Sequence, residues 1–218
     1  SYAELNRRAN RLAHLLLAQQ LPVETPIALC LDRGIDAVIS LLAIIKAGCA
    51  YVPLDPAYPL QRLQFMLADT ASPVLLTRSS LNTELATPTC QRIDLDLAGP
   101  ALAEHSDSNP APRASARHLA YIIYTSGSTG VPKGVLIEQR SVLSLVINTD
   151  FAPFEQGLRI GMLAPISFDA STMEIWGALL NGGECVVFPS QVPELSSLRP
   201  FFADHPLDLL FLTPGLFN

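Results

Sequence analysis

The sequence predicts an α/β fold with mainly parallel strands and helices on both faces. Short apolar runs alternate with helix-period segments of about 10–15 residues, the signature of strands joined by crossover helices. With 49% hydrophobic and 16% charged residues, the chain has the composition of a core-former and not of a disordered segment. A strongly apolar strand at residues 119–126 also runs straight into a loop of small polar residues, a common arrangement at α/β ligand sites.

The elements follow in order. Residues 1–20 read as an amphipathic helix, with Leu5, Ala9, Leu12 and Leu16 on one face and Arg7, Arg8 and Arg11 largely off it. Ser1 and Glu4 match a capping box. Residues 27–31 (IALCL) read as a buried strand, and 36–47 as a helix closed by Gly48 at a position that wants positive φ. Residues 50–54 are extended, and Pro59 can start a helix over 60–70. Residues 73–77 (PVLLT) form another strand. Residues 78–118 break the rhythm with Pro88, Pro100, Pro110, Pro112 and many small polar residues. They read as a surface excursion holding at most a short strand near 92–95. This places a first α/β subdomain at 1–118 and the start of a second at 119–218. There, strands are expected near Ile160, Val186 and Leu209, with helices at 141–148, 171–180 and 195–203.

Bulk properties narrow the function. The net charge of -6 leaves little from which to build the basic face a nucleic-acid binder needs. Cys30, Cys49, Cys90 and Cys185 form no C-x-x-C pair, so they read as reduced, mostly buried thiols of a cytoplasmic protein. The best apolar run, 37–45, is too short to span a bilayer, and no membrane partner is expected. His14, His105, His118 and His205 are scattered, with no ligand spacing for a metal. The chain opens on a helix signal without an initiator Met, as a segment of a longer protein would.

The chemistry concentrates in YIIYTSGSTGVPKGV, residues 121–135. Gly127, Gly130 and Gly134 open conformations closed to other residues. The hydroxyls of Thr125, Ser126, Ser128 and Thr129 supply donors, successive N–H groups can form an anion nest, and Lys133 adds a point charge suited to phosphate. On the residues alone, a flexible Gly/Ser loop explains the composition as well as a phosphate cradle does. The Walker P-loop is excluded, because Lys133 sits between Pro132 and Gly134 and opens no helix. Asp169, in SFDASTMEIW, reads either as the cap of the helix that follows or as a carboxylate facing a ligand. With Ser171 as the cap, Asp169 is left for the ligand.

The segment YTSGSTGVPKGV resembles the phosphate-binding signature of the adenylate-forming superfamily. SYAELNRRANRLAHLL, KAGCAYVPLDPAYPLQRLQFMLADT and SFDASTMEIW are similar, in the expected order, to motifs of nonribosomal peptide synthetase adenylation domains. The resemblance implies the N-terminal part of an adenylate-forming core. It also implies ATP-dependent activation of an amino acid as an aminoacyl-adenylate, with Mg²⁺ accompanying the nucleotide. Transfer to the phosphopantetheine thiol of a carrier protein would follow, with neighbouring synthetase domains as partners. By the same resemblance, Thr125, Ser126, Gly127, Ser128, Thr129, Gly130 and Lys133 handle the phosphates, with Lys133 the catalytic cation. Asp169 meets the substrate ammonium, Phe168 lies beside the reacting carboxylate, and Ala170, Met173 and Phe211 line a side-chain pocket. Without the resemblance, those last three read as ordinary core residues. Glu174 reads as structural and Trp176 as packing. No residue matches the family's later contacts to Mg²⁺, ribose and substrate carboxylate, so the 218 residues alone are expected to be inactive. A D-alanine-type carrier-protein ligase, an acyl-CoA synthetase and a non-catalytic nucleotide-binding module are the competing readings.

Overall fold

The computed structural model describes residues 1–81, 83–85, 89–126, 131–189 and 195–212. They form two compact units, Ser1–Gln139 and Arg140–Asn218.

The first unit is built on a six-stranded sheet. Helix α1 (Tyr2–Ala18) starts at Ser1, whose hydroxyl accepts the Glu4 N–H at 3.4 Å. The Glu4 carboxylate pairs with Arg7, an arm of the capping box turned outward. Leu12, Ala13 and Leu16 are buried, and α1 packs along α2 (Ile35–Lys46). Strands β1 (Pro26–Cys30) and β2 (Ala50–Leu54) flank α2, and Gly48 turns between α2 and β2 at φ +80°. Pro59 is the cap of α3 (Leu60–Asp69), one position earlier than a first-turn proline. Strand β3 (Val74–Thr77) then pairs with β1 on the side away from β2. Right-handed crossovers in opposite directions put α2 and α3 on opposite faces of the sheet. On the α3 face, Leu63, Met66 and Leu67 bury Ala28, Cys30, Val52, Leu54, Leu75, Ile122 and Tyr124, alternate residues of their strands.

Residues 78–118 hold more structure than their composition suggests. β4 (Gln91–Asp94) pairs parallel with β3 at the sheet edge, and α4 (Gly99–Ala103) follows after a short turn. The polar residues beyond α4 are laced onto the helices. Asn109 Oδ1 accepts from Asn6, Asn10 and Lys46, each at 3.1 Å. Arg113 donates to the carbonyls of Leu21 and Ala47.

β5 (Leu119–Thr125) pairs parallel with β2, and the Tyr51 and Tyr121 rings stack at 5.1 Å. β6 (Lys133–Glu138), absent from the sequence reading, runs antiparallel to β5. The sheet order is β4-β3-β1-β2-β5-β6. The change of unit therefore falls at 139/140 and not at 118/119, because β5 and β6 complete the first sheet.

The second unit follows α5 (Gln139–Val146) with β7 (Arg159–Met162), α6 (Ala170–Leu180), β8 (Glu184–Val187) and α7 (Leu195–Asp204). β7 and β8 are parallel, and Leu209 bridges to Ile160 in the same sense. Leu163, Phe188 and Leu198 form a cluster with Phe201, Leu210 and Leu212 against it.

Candidate functional site

β5 positions the loop. Its residues are buried from Ala120 through Tyr124, and exposure begins abruptly at Thr125 and Ser126. Because β5 is parallel to β2, the loop leaves the carboxyl edge of the sheet, where open α/β folds bind ligands. The chain returns at Lys133, which pairs in register with Thr125. Residues directly opposite in an antiparallel pair share a face, so the Thr125 hydroxyl and the exposed Lys133 side chain stand side by side at the root of the loop. Gly134 lies opposite Tyr124 on the next rung inward. A Cβ there would meet Ile122 Cγ2 at 2.9 Å and the Tyr124 ring at 3.4 Å, so the rung needs glycine for its close approach. The assignments to Gly127, Ser128, Thr129 and Gly130 lie outside the described residues.

The second group of site residues lies between β7 and α6. The connection is a run of tight turns, with Phe168 N–H donating to Pro165 O, Ser171 N–H to Phe168 O and Thr172 N–H to Asp169 O. Asp169 occupies the cap position of α6, yet its backbone is helical and its carboxylate makes no cap bond. Ser171 is not the cap either. It lies inside the helix, and its hydroxyl donates back to Phe168 O at 2.6 Å. The start of α6 thus gains nothing from the Asp169 carboxylate, which is exposed and has no ion-pair partner among the described residues. Phe168 beside it is 53% exposed, unusual for a phenylalanine with only a packing role. Ala170 and Met173 are half-buried.

Glu174 is fully buried and accepts the Ala164 N–H at 3.0 Å, tying the connection down to α6. Phe211 is 44% exposed. Leu210 and Leu212 pack against the α7 cluster, which does not include Phe211 between them. Trp176 is buried, as packing requires.

Two clefts of the first unit lie elsewhere. One of about 260 Å³ is lined by Arg8, Arg11, Asp36 and Leu102, and one of about 450 Å³ by Asn6, Lys46, Asn109 and Arg113. Neither is lined by Thr125, Ser126 or Lys133. Among the described residues, no group of three His, Cys, Asp or Glu side chains could hold a metal ion, and no helix is long and apolar enough to cross a membrane.

A parallel sheet with a Gly/Ser/Thr/Lys hairpin loop at its carboxyl edge defines a nucleotide-binding class of α/β protein. The family in question is that of the AMP-binding enzymes, whose profile matches residues 1–218, and the chain belongs to it. It is 44% identical over 218 residues to a linear gramicidin synthase of Brevibacillus parabrevis, a match covering 100% of this chain and 3% of that protein. It is 40% identical over 221 residues to surfactin synthase subunit 2 of Bacillus subtilis (strain 168), covering 100% of this chain and 6% of that protein. The chain thus spans a small part of these synthetases. Among solved structures, the N-terminal subdomain of Klebsiella oxytoca NpsA superposes with a TM-score of 0.85 at 27% identity, over 100% of this chain and 55% of that one. The nonribosomal peptide synthetase FmoA3, in its α-methyl-L-serine-AMP bound form, superposes with a TM-score of 0.88 at 27% identity, over 100% of this chain and 24% of that one. The adenylation-domain resemblance of the motifs and the mainly parallel α/β fold are both borne out.

Proposed function

We infer that the chain is the phosphate- and substrate-holding part of an amino-acid-activating adenylation unit. In such a unit ATP and an α-amino acid react to give an aminoacyl-adenylate and pyrophosphate. The aminoacyl group then passes to the phosphopantetheine thiol of a carrier protein in a neighbouring synthetase domain. The observation that carries this reading is the Thr125–Lys133 rung at the root of a small-residue loop on the carboxyl edge of the sheet.

At that rung a hydroxyl and an ammonium stand side by side, and the exposed Ser126 follows as the next residue. Together they can stabilise negative charge on phosphate oxygens, in the ground state and as it shifts during displacement. Bound ATP supplies the activated phosphorus and the leaving pyrophosphate. Gly127, Ser128, Thr129 and Gly130 are assigned to the same loop by the motif. Mg²⁺, implied by the family resemblance, would accompany the nucleotide and offset its phosphate charge.

Asp169 is the group that chooses the substrate. NpsA has been solved with 3-hydroxybenzoyl-AMSN, so the shared fold alone does not require an amino acid. The exposed Asp169 carboxylate, with no ion-pair partner among the described residues, is free to meet a ligand that brings a cation. Ala170, Met173 and Phe211, assigned to the side-chain pocket by the resemblance, offer no polar partner and favour an apolar side chain. FmoA3, with its amino-acid adenylate, supports the amino-acid reading.

Lys133→Ala in a complete adenylation unit tests the assignment. Amino-acid-dependent ATP–pyrophosphate exchange should fall at least about tenfold, the loss of a charge-assisted contact of roughly 1.5–3 kcal/mol. Unchanged exchange by a folded variant would remove the loop from the reaction.

A further inference from the structure

Tyr124 is the last buried residue of β5 before the loop, and only 6% of it is exposed. Its ring lies in the cluster made with Leu63, Met66 and Leu67 of α3. A phenylalanine would fill that space equally well. The hydroxyl instead reaches out of the cluster and donates to the carboxylate of Asp69, the last residue of α3. Asp69 stands against local preference. A carboxylate at a helix C-terminus opposes the helix dipole, and the last turn of α3 holds no basic residue to offset it. Neither group is explained by its own element, and each is explained by the other. On the opposite side, the Tyr124 ring covers Gly134, so it holds both strands of the hairpin one rung below the Thr125–Lys133 pair.

We propose that Tyr124 and Asp69 are positioning residues for the phosphate loop: their hydrogen bond pins the end of β5 to the end of α3 and so sets where loop 126–132 leaves the sheet. The inference rests on the reading of that loop as the phosphate site. A cradle of backbone N–H groups works only when its donors are aimed beforehand, and a displacement of about 1 Å at such a site costs rate or affinity out of proportion to its size. The two ends of the loop are adjacent strands, so one anchor at their root constrains both. Burial holds the Tyr124 phenol far above its ordinary range, with the Asp69 hydrogen bond and charge adding to the effect, so the donor keeps its proton at any working pH.

The experiment uses a complete adenylation unit containing this chain, with Tyr124→Phe, Asp69→Leu, Asp69→Asn and the double variant Tyr124→Phe/Asp69→Leu. Asp69 is exposed, so its variants fold even where a change at Tyr124 does not. Tyr124→Phe and Asp69→Leu should each raise the KM for ATP about tenfold, the scale of one hydrogen bond to a charged group, with the amino-acid KM little changed. The double variant should be no worse than either single one, and Asp69→Asn, which keeps an acceptor, should restore most of the loss. Hydrogen exchange of amides 125–134 should quicken in Tyr124→Phe while β1 stays protected. Unchanged exchange of those amides, or equal rises in both KM values, overturns the positioning role. Faster amide exchange with ATP use unaffected, both here and in Lys133→Ala, shows an anchored loop that does not hold phosphate, and it overturns the functional reading instead.

Discussion

At the scale of single residues, the proposed substrate selector is Asp169. The helix behind it does not use its carboxylate, and its neighbour Phe168 is held open to solvent. Asp169→Asn keeps the shape and removes the charge. It should cut kcat/KM for the preferred amino acid at least about tenfold, the cost of losing a charge-assisted bond to an ammonium. Exchange assays on a panel of amino acids and their deamino analogues provide the check. Preference for the acid lacking the amino group would refute the role of Asp169, whereas preference for aspartate, glutamate or lysine would refute only the apolar pocket. The motif is what singles this residue out in the sequence. It did not reveal how the helix begins, because Ser171 can accept as a cap or donate backwards from inside the first turn, and only the backbone decides. Glu174 was readable as structural from its place in a helix pattern. Its partner, the Ala164 N–H, was not, since a backbone donor has no sequence signature.

Elements with one buried face, or two, were the readable ones. α1, α2, β1, β2, α3 and β3 all stand within a residue or two of their expected places, because each carries a clean apolar period. β6 was missed for the opposite reason. Val135 and Leu136 are both substantially exposed, so its residues show no alternation. The Tyr124–Asp69 bond escaped as well, because it joins two elements whose separate patterns say nothing of each other. The turn from α2 to β2 shows a local rule strong enough to predict stability. Gly48 sits at φ +80°, and an added Cβ would lie 3.1 Å from Arg113 Cβ. Gly48→Ala should therefore destabilise the fold by about 1–2 kcal/mol, the cost of a left-handed backbone for an L-residue. A denaturation midpoint equal to wild type would show that the turn relaxes at no cost.

At the scale of the whole molecule, burial acts on the thiols together. It pushes Cys49 and Cys90 up to about 11 and Cys185 up to about 12, from an ordinary value of 9.0. For Cys49 the Arg113 charge opposes burial, and for Cys185 Glu174 and Glu184 reinforce it. Well below pH 9 the thiols are protonated in both folded and unfolded chains and contribute no pH dependence. Above it the unfolded chain gives up protons that the folded one retains, so stability should fall as pH rises from 9 towards 11–12. Urea midpoints at increasing pH measure the slope, and Cys49→Ala with Cys185→Ala should flatten it. A slope untouched by those substitutions would assign the alkaline loss to other groups.

The place of β5 in the sheet also dictates an order of assembly. β1, β2 and β3 are joined by short crossovers and can condense as soon as they have left the ribosome. β5 must come back to β2 across everything from Asp55 to His118, an entropic closure that distant contacts repay only late. Its partner β6 is local, so the hairpin can form by itself and dock as a finished piece. The Tyr51–Tyr121 stack belongs to that final docking. Tyr121→Leu should therefore speed unfolding and leave the folding rate nearly unchanged. Pulse-labelled hydrogen exchange during refolding should show amides of β1–β3 protected before those of β5, and simultaneous protection would contradict this sequence of events. The strands that carry the proposed phosphate loop would then be the last of the sheet to take shape, so a nascent chain could acquire its scaffold well before it could hold a nucleotide.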